Sequence, residues 1–351
     1  MSETKAHVVL VTGGSGFIGS NFVRFLLRTE ENVEVINFDL LTYAGNLGNN
    51  LDVAEDKRYR FVRGDIADED QVAGVFSGNR IDTVINFAAE THVDRSIEDA
   101  APFVRTNVVG TQCLLDHARR HKVSRYVQIS TDEVYGSLGQ DGLFSEDTPL
   151  NPTNPYAATK AGADLLVLGC ARTHRFPALI TRCSNNYGPS QFPEKFIPLM
   201  ISNAFEDKTI PVYGEGLNRR EWIYVDDHSR AVWKAVTDGK PGEVYNIGGG
   251  QELANIDLVR GVLEALGKPE SLIQFVKDRP AHDLRYAIDC TKIEAEWGWR
   301  ADTDFETGIS RTIEWYRTHQ DWVREVKGAS YMSYYGRHYT KRKQTLASFE
   351  E

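Results

Sequence analysis

Short apolar runs alternate with amphipathic stretches over the first two-thirds of the chain. The apolar runs are strand-like, whereas the stretches between them repeat their apolar residues at helical spacing. This alternation predicts βαβ units, and hence an α/β protein built on a parallel sheet. The predicted strands are HVVLVTG, VEVINFDL, YRFVRGDI, DTVINFAA and RYVQIST, and two of the predicted helices are SNFVRFLLRTE and GTQCLLDHARRHK.

The pattern changes at about Pro189, where loops rich in Pro, Gly and aromatic residues begin. We therefore predict a first domain over residues 1–188 and a smaller C-terminal lobe over residues 189–335. A late apolar run, EVYNIGGG, indicates that segments within residues 221–250 return to the first domain. Residues 336–351 form a polar tail that we expect to be peripheral.

Composition narrows the class of protein. A hydrophobic content of 41% permits a proper core, and the net charge of −10 disfavours nucleic acid or an anionic membrane as the main partner. A phosphorylated substrate would therefore have to meet local Arg or Lys side chains. The N-terminus carries no basic segment followed by a long apolar one, and no apolar run is long enough to span a bilayer, so we expect a soluble protein.

The cysteines point to a reducing, cytoplasmic setting. They stand far apart, with no CxxC pair and no histidine at ligand spacing, so neither a zinc site nor a disulfide framework is predicted. The four cysteines are Cys113, Cys170, Cys183 and Cys290.

A glycine-rich turn follows the first predicted strand. Gly13, Gly16 and Gly19 permit a tight turn and a close backbone approach, and the next helix offers its N–H groups to a pyrophosphate. Asp39 ends the second strand, where it can accept hydrogen bonds from ribose hydroxyls and would repel a 2′-phosphate. This pattern predicts NAD rather than NADP. The alternative is a turn that merely packs a helix on a strand, with Asp39 a solvated strand end.

The stretch STDEVYG places two carboxylates, Asp132 and Glu133, directly after the Thr131 hydroxyl at a strand end. They either begin a solvated loop or perform paired acid and base chemistry. Downstream, Tyr156 and Lys160 are four residues apart, which places both on one helix face. A lysine ammonium there, helped by a nicotinamide ribose, would lower the pKa of the phenol so that it can act as a base. An exposed helical pair is the simpler alternative.

The order of glycine turn, strand-end threonine and Tyr/Lys pair resembles that of extended short-chain dehydrogenases/reductases, from about residue 7 to residue 331. Within that superfamily the chain is similar to the dTDP-glucose 4,6-dehydratase family. The matching stretches are TGGSGFIGSNFV, LTYAGNL, NFAAETHVDRSI, STDEVYG, NPYAATKA, NNYGPSQFPEKFIP, REWIYVDDH and KDRPAHDLRYAID. The resemblance implies a Rossmann-type doubly wound sheet with a substrate-binding C-terminal lobe.

The resemblance also implies a reaction that needs both carboxylates. Tyr156 would take the proton of the sugar 4-hydroxyl while hydride leaves C4 for NAD, and Thr131 would hold that oxygen. The resulting ketone acidifies the C5 proton, which Glu133 would remove. Asp132, kept protonated by its surroundings, would donate to the departing C6 hydroxyl, and hydride would return to C6.

The remaining site residues come from the same resemblance. Lys160 and Tyr156 would also contact the cofactor, together with Gly13, Gly16, Phe17, Ile18, Gly19, Asp39, Thr42, Asp65, Ile66, Ala88, Thr106 and Asn186. The nucleotide-sugar would contact Thr91, Thr131, Asn185, Glu194, Lys195, Arg220, Asn255, Asp278, Arg279, His282 and Tyr331. For Asp65, an ordinary strand-end role is nearly as well supported as a contact to adenine.

Three positions depart from the family pattern: Thr91 replaces Ser, Ala281 replaces Gly and Leu284 replaces Arg. The last change leaves the choice between thymidine and uridine nucleotides open. We interpret His92 as a structural hydrogen-bonding residue and Arg219 as a member of a solvated surface pair. The wide apolar faces of two helices imply a homodimer by resemblance, with packing on the sheet as the alternative.

Two other functions compete with this hypothesis. The first is a nucleotide-sugar 4-epimerase or decarboxylase on the same scaffold, and the Asp132–Glu133 pair argues against the epimerase. The second is a dinucleotide-binding protein with a vestigial site, which predicts losses at Thr131, Tyr156 or Lys160, and all three are present. The pathway that consumes the 4-keto-6-deoxy sugar is left open by the sequence.

Overall fold

Seven parallel strands form the centre of the protein, in a computed structural model that describes residues 5–278 and 283–328. The first strand illustrates that the sheet is covered on both faces. Its consecutive residues Val9, Leu10 and Val11 point to alternate faces and are all fully buried, as expected for a sheet covered by helices. The strands of the described residues are β1 (His7–Thr12), β2 (Val33–Asp39), β3 (Tyr59–Arg63), β4 (Thr83–Asn86), β5 (Arg125–Thr131), β6 (Ala178–Cys183), β7 (Asn185–Tyr187), β8 (Ile210–Tyr213), β9 (Arg219–Tyr224), β10 (Val244–Ile247), β11 (Gln251–Ala254) and β12 (Ile273–Val276).

The strand order of the large sheet is β10-β6-β5-β4-β1-β2-β3. The order reverses beside β1, which pairs with both β2 and β4, and such a switch point opens a crevice at the carboxyl ends of the strands. The chain after β1 and the chain after β4 lie against each other there. A Cβ built on Gly13 would stand 2.6 Å from the Ala88 nitrogen, so this approach requires glycine.

Helices cover both faces of the sheet and produce two apolar cores. One core packs Phe22 and Leu26 on one face, and the other packs Leu114 and Val167 on the opposite face. The predicted Rossmann-type α/β class is therefore confirmed. The α-helices are α1 (Phe17–Thr29), α2 (Glu69–Ser77), α3 (Val93–Glu98), α4 (Ala101–Phe103), α5 (Thr111–Arg120), α6 (Pro155–His174), α7 (Phe196–Phe205), α8 (Val225–Thr237), α9 (Asn255–Leu266), α10 (Thr291–Trp297), α11 (Phe305–Thr318) and α12 (Gln320–Val326).

Tighter and wider helical turns complete the secondary structure. A π-helix over Val104–Gly110 joins α4 to α5, and 3₁₀ turns span Leu47–Val53, Asp132–Tyr135 and Glu270–Leu272. Among the described residues, no helix combines the length and apolar character that a membrane crossing requires.

The later part of the chain forms a second region with two small sheets. One sheet has the order β11-β9-β7, and the other pairs β12 with β8. Their shared core contains Met200, Ile201, Val259 and Tyr316. The chain does not stay in this region, because β10 pairs in parallel with β6 at the edge of the large sheet.

Candidate active site

A cavity of about 440 Å³ lies at the carboxyl edge of the large sheet, within the size range of small-molecule sites. The second region closes its other side. Every residue predicted to contact the cofactor lines this cavity, namely Gly13, Gly16, Phe17, Ile18, Gly19, Asp39, Thr42, Asp65, Ile66, Ala88, Thr106, Tyr156, Lys160 and Asn186.

The glycine turn at the start of α1 has the shape that a dinucleotide pyrophosphate needs. Gly13 has a positive φ of 69°, and a Cβ on Gly19 would stand 2.2 Å from the Gly13 oxygen, so the helix can pack this closely only on glycine. Gly16 is the N-cap of α1 and contributes no side-chain cap. The first-turn N–H groups and the positive end of the helix dipole therefore face the cavity without a competing side chain.

Asp39 sits at the end of β2, where a ribose would be recognised. It is buried, and its carboxylate accepts hydrogen bonds from the Ser15 and Leu41 N–H groups at 2.9 and 2.8 Å. Burial raises the pKa of Asp39, and the two backbone hydrogen bonds oppose that shift. A carboxylate held on the cavity wall in this way fits a dinucleotide whose ribose has free hydroxyls.

Asp65 lies at the same edge of the cavity. Its carboxylate accepts from the Ala67 N–H at 2.8 Å and pairs with Arg105 at 2.5 Å. These contacts orient the carboxylate at the end of the cavity nearest β2 and β3. The residues present therefore fit a bound dinucleotide.

The end of β5 separates the two adjacent acids. The strand ends at Thr131, whose hydroxyl caps the following 3₁₀ turn by accepting from the Glu133 N–H at 3.3 Å. The same hydroxyl donates to Asp132 Oδ1 at 3.1 Å. Glu133 lines the cavity, whereas Asp132 does not. The turn therefore points one carboxylate into the cavity and buries the other behind the strand end.

Asp132 is only 1% exposed, and its Oδ2 has no hydrogen-bond partner among the described residues. Burial raises the pKa of Asp132 well above its usual range, and the nearby Glu133 and Glu221 carboxylates raise it further. A protonated Asp132 follows from this environment.

Tyr156 and Lys160 project from the first turns of α6. Asn154 caps this helix by accepting from the Ala157 N–H at 2.9 Å, and Pro155 occupies the first helical position, where its fixed φ is suited to a helix start. Both Tyr156 and Lys160 are buried and line the cavity. The simpler alternative of an exposed helical pair is therefore wrong.

Burial sets the pKa of the Tyr156 phenol in the protein without cofactor. In the protein alone, burial raises this pKa well above its usual range, and the Glu133 carboxylate adds to the shift. Lys160 cannot approach the phenol freely, because its ammonium donates to the Ile129 carbonyl at 2.6 Å. In the protein without NAD, desolvation therefore dominates the pKa of this phenol, and the lowering expected from Lys160 together with a nicotinamide ribose stays a prediction.

Buried charge dominates the substrate side of the cavity. Arg220 is 5% exposed, and its guanidinium donates to the carbonyls of Arg219 and Asp283 at 2.7 and 2.9 Å. It also lies 4.4 Å from the centroid of the Tyr286 ring. These contacts orient a buried cation toward the cavity, which it lines.

Glu194 and Lys195 lie beside each other before α7. Glu194 is buried and pairs with Arg95 at 2.9 Å, and His92 lies 4.0 Å away. Lys195 donates to the Thr91 carbonyl at 2.9 Å. The remaining predicted substrate residues on the cavity wall are Asn185 and Asn255.

Among the described residues, one predicted substrate residue, Asp278, is not brought to the cavity. Leu284, 49% exposed, stands on the surface. The predictions for Arg279, Ala281, His282 and Tyr331 fall outside the described residues.

Other cavity residues were missed. Tyr286 lines the wall beside Arg220, and it belongs to the motif KDRPAHDLRYAID that had already been noticed. Phe192, Tyr213 and Trp222 are also on the wall. Phe192 and Trp222 belong to the matching stretches NNYGPSQFPEKFIP and REWIYVDDH, whereas no motif indicated Tyr213.

One expectation about the cysteines was wrong. Cys113 does have a histidine at ligand spacing, because His117 lies one turn later on α5, and Glu69 joins them so that one ligand atom from each lies within 4.8 Å of the others. The group is hydrogen-bonded: Glu69 accepts from Cys113 at 3.4 Å and lies 2.9 Å from His117. All four cysteines are free, so none forms a disulfide.

The fold and the cavity together define a dinucleotide-binding enzyme of the Rossmann type. A family profile described as GDP-mannose 4,6 dehydratase matches residues 10–312. The dTDP-glucose 4,6-dehydratase of Streptomyces niveus is 50% identical over 323 residues, which cover 91% of this chain and 95% of that protein.

Two solved structures extend the comparison. The dTDP-glucose 4,6-dehydratase of Streptomyces venezuelae with NAD and dTDP bound has a TM-score of 0.89 and 48% identity, covering 91% of this chain and 100% of that one. The enzyme of the same name from Bacillus anthracis, in complex with NAD, has a TM-score of 0.86 and 45% identity, covering 92% and 100%. The chain belongs to this 4,6-dehydratase family, and the family predicted from the sequence is confirmed.

Proposed function

We propose that this protein is a hydro-lyase that converts dTDP-glucose into its 4-keto-6-deoxy product. The observation that carries the proposal is the convergence of Thr131, Glu133, Tyr156 and Lys160 on the cavity that also holds the glycine turn. An acidic group beside the Tyr/Lys pair serves an elimination, which a simple oxidation does not require. The identity of the substrate is inferred from the names of the relatives, which are dTDP-glucose 4,6-dehydratases.

The cofactor is NAD. When bound, it supplies the acceptor for hydride from sugar C4 and the donor that returns hydride to C6. The chain would hold it with the glycine turn, Asp39 and the wall residues Thr42, Ile66 and Ala88. Asp39 would repel a 2′-phosphate, so NAD is preferred to NADP.

The side chains of the cavity divide the proton transfers among them. Tyr156 takes the proton of the 4-hydroxyl. Thr131 turns its one hydroxyl proton from Asp132 to that oxygen, while protonated Asp132 donates to the Thr131 oxygen. Glu133 then removes the C5 proton, for which it must be ionised. Asp132 is held protonated by burial and serves as the acid for the departing hydroxyl. Since Asp132 does not line the cavity, its proton must pass through the Thr131 hydroxyl or after a rotation of the 3₁₀ turn.

Arg220 and Lys195 would bind the diphosphate. The protein has a net charge of −10, so a dianionic group can be held only where local cations outweigh the overall field. Backbone carbonyls orient the Arg220 guanidinium at the cavity wall, where it can meet a phosphate, and charge-assisted contacts of this kind are strong.

We also propose a homodimer, located in the cytoplasm. The surface around the π-helix and α6 carries exposed apolar side chains, including Ile97, Val104, Val109 and Leu165. A cluster of this kind supports an interface between two copies. Light scattering during size-exclusion chromatography distinguishes a dimer of this 39.5 kDa chain from a monomer.

Incubation of the purified protein with dTDP-glucose, and separately with UDP-glucose, tests the proposed reaction. Mass analysis should find loss of water from the thymidine substrate. A product of unchanged mass would favour a 4-epimerase, and no product with either sugar would favour a binding protein. Denaturing the protein should release NAD, because the cofactor is regenerated within each cycle; NADP as the main species would contradict the proposal.

A further inference from the structure

Three charged side chains are buried together beneath the cavity. Lys160 is 4% exposed, Asp164 0% and Arg182 2%. Removing charges from water costs several kcal/mol for each ion unless a partner compensates. The group contains two cations and one anion, so the carboxylate must serve both cations.

Asp164 lies one helical turn after Lys160 and is paired with Arg182. Tyr156, Lys160 and Asp164 follow each other at intervals of four residues on α6, so they share one helix face. Asp164 is held from the sheet side, because Arg182 on β6 donates to its Oδ2 at 2.9 Å. The guanidinium of Arg182 in turn lies 4.8 Å from the ring centroid of Tyr135.

Besides Arg182, the Ser130 hydroxyl is a neighbour of the Asp164 carboxylate. Oδ1 is buried and has no hydrogen-bond partner among the described residues. The Lys160 ammonium donates to a neutral group, the Ile129 carbonyl, at 2.6 Å. Burial lowers the pKa of Lys160, and Asp164 is the leading charge that opposes this shift. The carboxylate therefore supplies the negative charge that a buried ammonium needs.

We propose that Asp164 is a positioning residue, which keeps Lys160 charged and in place beneath Tyr156 while Arg182 fixes Asp164 from β6. Asp164 does not line the cavity, so it acts through Lys160 and does not touch the substrate. The inference rests on the proposed function for the role of Lys160, and it adds a residue that the reaction depends on indirectly.

The other titratable groups that face Lys160 and Asp164 are Tyr156, Cys183, Tyr135 and Asp132. Tyr156 lies on the same helix, with its pKa raised by burial. On β6, burial raises the pKa of Cys183 to about 12. After β5, burial raises the pKa of Tyr135 to about 12 and that of Asp132 well above its usual value. Because Asp132 is the proposed acid, the loss of its proton would also reduce activity at alkaline pH, so the release of NAD, which does not need that acid, is the readout that reports Lys160.

In Asp164→Asn, the alkaline limb of the pH profile of kcat/KM should move to lower pH. A nearby opposite charge changes a pKa by about 1–3 units, so the limb should fall by about 1–3 pH units. The sign follows because Lys160 without the carboxylate loses its proton at lower pH. A second readout needs no turnover: the variant should release its bound NAD on dialysis at a correspondingly lower pH than the parent.

Further variants separate this role from simple pairing with Arg182. Asp164→Asn leaves a buried guanidinium unpaired and will weaken folding. The double variant Asp164→Asn/Arg182→Met removes that guanidinium, and its alkaline limb should stay at the lower pH seen in Asp164→Asn. In Arg182→Met alone, the Asp164 carboxylate would stabilise only the Lys160 ammonium, so the alkaline limb should move to higher pH. Asp227→Asn is the matched control, because Asp227 is a buried acid paired with Arg230 at 3.0 Å but off the cavity wall, and its limb should not move.

The outcomes distinguish the inference from the proposed function. If the double variant matches the parent in both pH readouts, or if Arg182→Met leaves the limb in place or lowers it, Asp164 serves only Arg182 and the inference is wrong. If the parent makes no dehydrated product, the proposed function fails instead, and the NAD release measured against pH still tests the link between Asp164 and Lys160.

Discussion

The two sides of the cavity are built in different ways. On the sheet side, backbone shape at the strand ends places the groups: the turn at Gly13, the end of β5 at Thr131 and the first turns of α6. On the side of the second region, buried side chains such as Arg220 and Glu194 are held by carbonyls and ion pairs that come from distant parts of the chain.

This contrast predicts two kinds of failure. A substitution on the sheet side should impair the proton transfers or the retention of cofactor, because the groups there contact the reacting atoms or the dinucleotide. A substitution on the other side should weaken substrate binding and leave the chemical steps nearly intact.

The largest effect is expected for Glu133→Gln. The amide keeps the shape of the side chain but cannot accept the C5 proton, so dehydration should slow by about 10²–10⁴-fold while KM changes little. Exchange of the C5 hydrogen with deuterated solvent, followed by mass spectrometry or NMR, measures the step directly.

Asp132→Asn is the informative comparison, because it changes the neighbouring carboxyl group. Here C5 exchange should persist while loss of water is impaired. Dehydration by Glu133→Gln at the parental rate would reduce the acidic pair to a structural strand end and remove the contrast between the two sides.

Among additions of a single methyl group on the sheet side, Gly19→Ala should reduce stability and NAD retention the most. Its Cβ would stand 2.2 Å from the Gly13 oxygen, so either the turn or α1 must shift, at a cost of about 3 kcal/mol in stability. NAD released from the denatured variant should be reduced well below one equivalent. In Gly74→Ala, on α2, the new methyl meets nothing within 4 Å, and this control should keep its NAD and gain slightly in stability.

Arg220→Ala should raise KM without an equal loss of kcat. Removing a buried charge-assisted contact to phosphate costs about 1.5–3 kcal/mol, which corresponds to roughly 10–150-fold in KM. The neighbour Arg219 provides the control, since it is exposed and pairs with Glu252 at 2.9 Å, and Arg219→Ala should change KM little. Equal effects of the two substitutions would contradict the assignment of the diphosphate to Arg220.

A smaller effect concerns stability and lies away from both sides of the cavity. His228, on α8, is fully buried, neither ring nitrogen has a hydrogen-bond partner among the described residues, and burial lowers its pKa to about 3. Between pH 6.5 and about 3 the unfolded chain binds a proton there that the folded protein does not, so stability falls on acidification by about 1.4 kcal/mol per pH unit.

Denaturant unfolding at a series of acidic pH values measures this slope. His228→Gln should reduce the slope, whereas His174→Gln, at an exposed position, should leave it as in the parent. An unchanged slope in His228→Gln would assign the acid sensitivity to other groups.

The contrast also explains which parts of the molecule could be predicted. The glycine turn, the Thr131–Glu133 stretch and the Tyr156/Lys160 pair each lie within a few consecutive residues, so strand and helix geometry fixes them locally. The burial of Asp132 away from the cavity could not be predicted, because it depends on a 3₁₀ turn that begins directly after the strand.

The deep burial of Tyr156 and Lys160 could not be predicted for a related reason. Spacing along a helix reveals the distance to Lys160, but it does not reveal how completely both groups are desolvated. The placement of Tyr286 beside Arg220 likewise depends on the meeting of two segments that are distant in sequence.

The return of β10 to the large sheet constrains how the protein is made. A ribosome delivers β6 long before Val244–Ile247, so the outer edge of β6 has no partner while the second region is still being synthesised. The core on that face also needs Ala231 and Val232 of α8. An open edge of this kind invites pairing with other chains. A truncated chain that stops before β10 should therefore aggregate instead of yielding an independent nucleotide-binding module.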